Sequence, residues 1–293
     1  MIRIAVAQMV ARPFDREANL RLMGALMRKA SDMGSRLVVF PELCVTGYSA
    51  LHDAVRVAES VPGPSTLWIS KLAAELGLSV VIGLIESHSG GLYDSAVIVN
   101  SSGDLVGVYR KVNLWSAEKK VFRRGTDPLV FDVEGFRVGV GICYDLEFPE
   151  YSRSLALMGA ELLVYPSAQP AEYRDRVRVY VKSRALENGV YVAFSNLAGV
   201  EGEYSFAASS VVIGPDGSRL TPRIRGGCGL AVCEVNREVL RRERCVNPYL
   251  EDLVLTEKPY EQGGVRPHTK LTPESEKDSQ KLGVTYNRSN DTD

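Results

Sequence analysis

The chain has 293 residues, 45% of them hydrophobic, and a formal net charge of −1. That length and apolar content suit one large domain or two small ones with a full core. The basic residues are spread and not clustered, which argues against nucleic acid or an anionic membrane as main partner, and no apolar stretch approaches a membrane span.

In chain order, residues 2–8 read as a strand that begins at once, with no secretory apolar region, and this predicts a cytoplasmic protein. Residues 15–33 read as a helix whose Leu20, Met23, Leu26, Met27 and Ala30 recur at helical spacing, a core-facing stripe. A strand at 37–40 ends in Pro41, which leaves Glu42 at its carboxyl end. Pro64 starts a helix to about Leu76, and strands follow at 79–85, 93–99 and 104–110. Residues 111–129 form a loop rich in charge and aromatic side chains, a reasonable pocket wall. Strands recur near 137–142, 161–165, 190–195, 205–213 and 229–235, with helices near 149–158 and 173–188. Few large apolar residues remain after Pro259, so 1–258 reads as the domain and 259–293 as a polar tail, disordered or draped on a partner chain. The phrase Met33-Gly34-Ser35-Arg36-Leu37-Val38-Val39-Phe40-Pro41-Glu42 is paralleled by Met158-Gly159-Ala160-Glu161-Leu162-Leu163-Val164-Tyr165-Pro166-Ser167. Two copies of a helix-to-strand unit would place Glu42 and Ser167 at equivalent edges.

Cys143 follows a buried-strand pattern directly and precedes a helix, a position from which a side chain projects at the carboxyl edge of a sheet. The following helix N-terminus is expected to favour its thiolate. Only three histidines are present, His52, His88 and His268, all in polar stretches, so the base for a nucleophilic cysteine is expected to be a carboxylate. Glu42 has the right setting. Lys111, leaving the strand at 104–110, supplies a fixed positive charge able to lower the thiol pKa and hold an oxyanion. Five cysteines without framework spacing suit a reducing compartment. Cys44 is assigned to packing, and Cys228 and Cys233, with no histidine pair nearby, are not expected to bind metal.

Three motifs in order, Pro41-Glu42-Leu43, Tyr109-Arg110-Lys111 followed by Leu114-Trp115, and Cys143-Tyr144-Asp145 with Phe148-Pro149-Glu150, resemble the nitrilase (carbon–nitrogen hydrolase) superfamily over roughly residues 1–255. Thr46-Gly47-Tyr48, Arg184-Ala185-Leu186-Glu187-Asn188 and Gly214-Pro215-Asp216-Gly217 add to the resemblance. It implies an α/β fold of four αββα layers, a homodimer or higher homo-oligomer, no cofactor, and Glu42, Lys111 and Cys143 as catalytic residues. Its second glutamate maps onto Glu118. Tyr144, Tyr48, Trp115, Ser167 and Gln169 are the candidates for oxyanion and substrate binding.

The expected reaction is hydrolysis of a small linear carboxamide through a thioester on Cys143. An N-carbamoyl compound is the next substrate class, then a nitrile, and a non-catalytic interaction protein of the same fold is the rival from another class. Tyr144 stands where carbamoyl amino acid hydrolases often carry an arginine, and Arg174, Arg176 and Arg178 are the cations that could replace it.

Overall fold

A computed structural model describes residues 1–254, so the tail expected over 259–293 lies outside the described residues. The chain opens with β1 (Ile2–Gln8), α1 (Arg16–Asp32), β2 (Leu37–Val39), α2 (Ala54–Val57), α3 (Pro64–Leu76) and β3 (Ser79–His88). It continues through β4 (Gly91–Val99), β5 (Leu105–Arg110), the single turn α4 (Glu118–Val121), β6 (Leu129–Val133), β7 (Phe136–Val140) and α5 (Pro149–Leu157). Next come β8 (Leu162–Ser167), α6 (Arg174–Asn188), β9 (Tyr191–Asn196), β10 (Ala198–Glu201), β11 (Tyr204–Ala207), β12 (Val211–Ile213), β13 (Gly229–Val235) and α7 (Arg237–Val246). Asp15 caps α1 by accepting from the Ala18 N–H at 3.0 Å, which satisfies one of the donors that a helix start leaves unpaired.

Two sheets result, one in the order β13-β1-β2-β3-β4-β5 and one in the order β12-β9-β8-β7-β6, with β10 and β11 as a separate ribbon. Strand alternation decides which side each residue serves. Ile4 and Val6 of β1 pack between the sheets with Val138, Val140, Leu162 and Val164, whereas Ala5 and Ala7 face the other way, among Met23, Met27, Ile69 and Leu72 of α1 and α3. Leu155 of α5 and Val177 and Val181 of α6 join the core of the second sheet. The layers are therefore helix, sheet, sheet, helix, as the sequence implied.

The repeated phrase is structural. β2 lies parallel between β1 and β3, and β8 lies parallel between β7 and β9. Before each central strand a glycine turns with positive φ, Gly34 at 75° and Gly159 at 90°, a region that costs an ordinary side chain strain. The next residues repeat the same bonds: Ser35 N–H to Ala30 and Arg36 N–H to Arg3 in one copy, Ala160 N–H to Leu155 and Glu161 N–H to Arg137 in the other.

Other expectations change. The strand expected over 205–213 breaks at Ala208, whose φ is +47°, and its halves β11 and β12 belong to different sheets. The loop 111–129 contains α4, and β6, β10 and α7 were not foreseen. α7 carries a charged sequence with Leu240 as its one buried residue, so it has too few apolar residues to stand out as a core helix.

Gly83 of β3 decides where Glu42 sits. A Cβ there would stand 2.5 Å from the Leu43 nitrogen and 2.7 Å from the Pro41 carbonyl oxygen, both backbone atoms that cannot swing aside. Gly83→Ala is expected to lower unfolding free energy by roughly 1–3 kcal/mol and to reduce turnover with it. Chemical denaturation and an activity assay on the same preparation check this, and an unchanged denaturation midpoint would show that the loop gives way freely.

Candidate active site

Three chain segments converge at the carboxyl edges of the sheets. Glu42 hangs in the loop after β2, whose course is fixed by the Phe40 N–H bonding to Val81 and the Val45 N–H bonding to Gly83. Lys111 follows β5, pinned through its own N–H to the Asp94 carbonyl and through its carbonyl to the Gly125 N–H, both at 2.9 Å. Glu118 is the first residue of α4. All three side chains are buried.

Lys111 Nζ donates to Glu42 Oε1 at 2.5 Å and to Glu118 Oε1 at 2.8 Å, and lies 3.4 Å from Asp94 Oδ2. Glu42 Oε2 accepts the Ala168 N–H at 2.7 Å, so both of its oxygens are held. Glu118 Oε1 also accepts from the Tyr48 hydroxyl at 2.8 Å, and its Oε2 accepts the Trp115 N–H at 2.8 Å. Burial works against the charge of Lys111, but Glu118, Glu42 and Asp94 outweigh it and hold its pKa well above the usual lysine range. Burial and the charge of Glu42 raise the pKa of Glu118, against the pull of Lys111.

Among the described residues, Glu42, Asp94 and Glu118 could form a carboxylate metal site, with one oxygen from each within 4.8 Å of the others. The Lys111 ammonium already stands among them at hydrogen-bond and ion-pair distance, which makes this donor set a cage for an internal cation.

Cys143 follows β7 and has φ +44°, a conformation that non-glycine residues rarely take and that recurs at functional turns. Its Sγ lies 3.6 Å from Gln169 Oε1. The turn is bolted down by Asp145. One carboxylate oxygen of Asp145 accepts the Tyr109 hydroxyl at 2.7 Å and the Ile142 N–H at 2.9 Å, and the other accepts the Asn113 N–H at 2.9 Å and its Nδ2 at 3.0 Å. One buried acid thus ties the Cys143 turn to the Lys111 loop. Arg184 secures the far end of the turn by donating to the Leu146 and Glu147 carbonyls at 2.8 and 3.0 Å.

The expected thiolate is corrected by the structure. Residues Cys143–Glu147 form a 3-10 turn, and α5 begins only at Pro149. Burial, followed by the charge of Glu42, pushes the Cys143 thiol well above its ordinary pKa, and Lys111 offsets only part of this. These surroundings favour the protonated thiol over the thiolate. Cys44, assigned to packing, is buried and its pKa is pushed up to about 12 by that burial.

The other predicted residues divide. Tyr48 and Gln169 reach the cluster, and Trp115 reaches it through its backbone, with its ring edge-on to Tyr173. Tyr144 is half-buried and packs edge-on against Phe148. Ser167 is buried, but its hydroxyl turns back to the Tyr165 carbonyl at 3.2 Å, and the next residue, Ala168, supplies the bond to Glu42. Asp94 was missed. Its signal was a single acid inside the apolar run of β4.

The profile of the carbon-nitrogen hydrolase family matches residues 3–244. The chain belongs to that family. This carbon–nitrogen hydrolase is 31% identical to an (R)-stereoselective amidase of Pseudomonas sp, covering 86% of this chain and 91% of that one. It is 33% identical to a nitrilase of Pyrococcus abyssi, covering 83% and 93%. Its fold is similar to a cysteine-to-alanine mutant of an amidase from Nesterenkonia sp. AN1 in complex with butyramide, with a TM-score of 0.75, 30% identity and coverage of 84% and 95%. Among the described residues, no helix of the hydrolase is long and apolar enough to cross a membrane.

If Glu42 keeps the thiol protonated, Glu42→Gln should move the pH midpoint of Cys143 alkylation downward, because a nearby negative charge has been removed. Rates of iodoacetamide labelling across a pH series, read on the Cys143 peptide, measure this. A midpoint that rises instead would mean that Glu42 does not face the sulfur.

Proposed function

We propose that the protein hydrolyses a small linear carboxamide to its acid and ammonia through a thioester on Cys143. The observation that carries this reading is a buried ammonium, Lys111, clasped by Glu42 and Glu118 beside a cysteine in a strained turn. Glu42 accepts the thiol proton as the sulfur attacks the carbonyl carbon. The Lys111 ammonium and the Tyr144 N–H, in the first turn after β7 where backbone donors lack helical partners, receive the developing oxyanion. Such a donor is worth about 3 kcal/mol in comparable sites. Glu42 then protonates the departing ammonia, and the same carboxylate activates water to release the acid. Glu118 holds Lys111 in place and faces the leaving nitrogen.

A neutral amide is favoured over a carbamoyl amino acid because the substrate carboxylate would need a free cation in a centre already rich in acids. The arginines of α6 are engaged elsewhere. Arg176 pairs with Glu147, Arg178 with Asp175, and Arg174 donates to the Ala207 carbonyl. The candidate binding groups are the aromatic residues Tyr48, Trp115 and Tyr144 together with Gln169. For assembly, the family resemblance supports a homodimer or larger homo-oligomer, and sedimentation of the full chain tests it, a monomer at working concentration removing that reading.

Cys143→Ala should abolish turnover with the fold intact, and mass spectrometry of the wild type with a slow amide should find an acyl adduct on the Cys143 peptide. An adduct at Cys44, or activity in the alanine variant, would sink the mechanism. Glu118→Gln should lower kcat by about 10²-fold and also lower thermal stability, because it leaves the buried Lys111 ammonium one carboxylate short. Near wild-type turnover would return Glu118 to a structural role. Neutral short-chain amides should be turned over at least about tenfold faster than carbamoyl amino acids, a difference of about 1.4 kcal/mol. Ammonia and carbon dioxide are followed together, and equal yields of both with simple amides inert would invert the ranking.

A further inference from the structure

The acid centre holds more negative charge than its one ammonium can balance. Asp94 lies on β4 on the face that Ala96, Ile98 and Tyr109 turn to the sheet–sheet core, while Ser95, Glu86 and Arg110 bond to one another on the opposite face. Its side chain is 0% exposed. Neither carboxyl oxygen has a hydrogen-bond partner among the described residues, although Oδ2 is 3.4 Å from Lys111 Nζ and an oxygen lies within 4.8 Å of both Glu42 and Glu118. Three ionised carboxylates around one lysine would leave two unbalanced charges in a buried site, an arrangement that buried carboxyls avoid by taking up a proton.

We propose that Asp94 is a positioning residue that stays protonated at working pH, shares its proton with the Glu42 carboxylate, and thereby sets the strength of Glu42 as a base. The inference rests on Glu42 being that base. A protonated carboxyl is both donor and acceptor, so Asp94 in this state can bond Glu42 and still face Lys111, which an ionised Asp94 cannot do. Burial and then the charge of Glu42 move Asp94 upward from the ordinary carboxylate range, in the same direction as the geometry. The ionisable groups that face it are Glu42 from the loop after β2, Lys111 at the end of β5, and Glu118 on α4.

The consequence is an alkaline limit. When Asp94 loses its proton, a third carboxylate charge joins those of Glu42 and Glu118 around Lys111, the ammonium is drawn toward it, and oxyanion binding becomes harder.

The test uses Asp94→Asn, the neutral isostere, and Asp94→Ala on the full chain. Asp94→Asn should extend the alkaline limb of its kcat/KM profile by at least about one pH unit relative to that of wild type. Asp94→Ala, which lacks the donor, should lose at least about tenfold at neutral pH with KM nearly unchanged. Infrared difference spectra of wild type with carbon-13 aspartate should show the carbonyl stretch of a protonated carboxylic acid that Asp94→Asn lacks. An unshifted alkaline limb in Asp94→Asn, or the absence of that band in folded wild type, overturns the proposal. Full turnover in Glu42→Gln with the Asp94 band present would remove the base reading and leave the protonated acid standing. The band missing while Glu42→Gln is inactive would remove the Asp94 proposal alone.

Discussion

A charged lysine buried away from bulk solvent governs the architecture around it. Transferring an ammonium from water to a protein interior costs several kcal/mol unless partners surround it, and removing one partner of such a buried pair typically costs 3–5 kcal/mol. Lys111 meets that demand with Glu42 and Glu118, which arrive from the loop after β2 and the start of α4, while Lys111 itself follows β5. These requirements propagate outward. Glu42 can reach only because Gly83 lets the loop lie on β3, and Glu118 only because Tyr48 and the Trp115 N–H hold its remaining lone pairs. The position of the cation is thus a joint product of several loops, each with its own backbone bonds.

The same chemistry explains why the cysteine is not simply an acidic thiol. Among so many carboxylates a free thiolate would be repelled, and the pKa of the sulfur rises accordingly. In the proposed mechanism the thiol ionises only as its proton leaves for Glu42 and the carbon–sulfur bond forms. In the proposed reaction the site therefore holds its charge constant, moving one proton between neighbouring groups while Lys111 stays cationic throughout.

Much of this was legible in the residues. Glu42, Lys111 and Cys143 each sit where a strand pattern stops, and strand ends are where layered α/β folds gather their chemistry. The alternation of strands and helices pointed to a layered α/β domain, and the family resemblance supplied the αββα order that the structure bears out. What could not be read depended on contacts between distant segments. Asp145 looked like one more acid near the thiol, and only the packing reveals it as the tie between two loops. The expectation of an acidic thiol came from assuming a helix at Cys143, when a tight 3-10 turn stands there and α5 starts six residues later. Ser167 matched Glu42 in phrase but not in use, because its hydroxyl bonds its own strand.

The bond from the Ala168 N–H to Glu42 joins the ends of the two equivalent central strands, β8 and β2. Glu42, Asp94, Lys111 and Glu118 all belong to the first sheet and the turn that follows it, whereas Cys143 belongs to the second. The proposed proton acceptor and the sulfur are thus carried on separate leaves, aligned by the apolar seam between them and by the Asp145 and Ala168 hydrogen bonds that cross it. Slippage along that seam would break those crossing bonds and carry Glu42 away from the sulfur. The seam acts as the bearing of the machine, and the tight interdigitation of Val6, Val39, Val140 and Val164 within it keeps the two leaves in step.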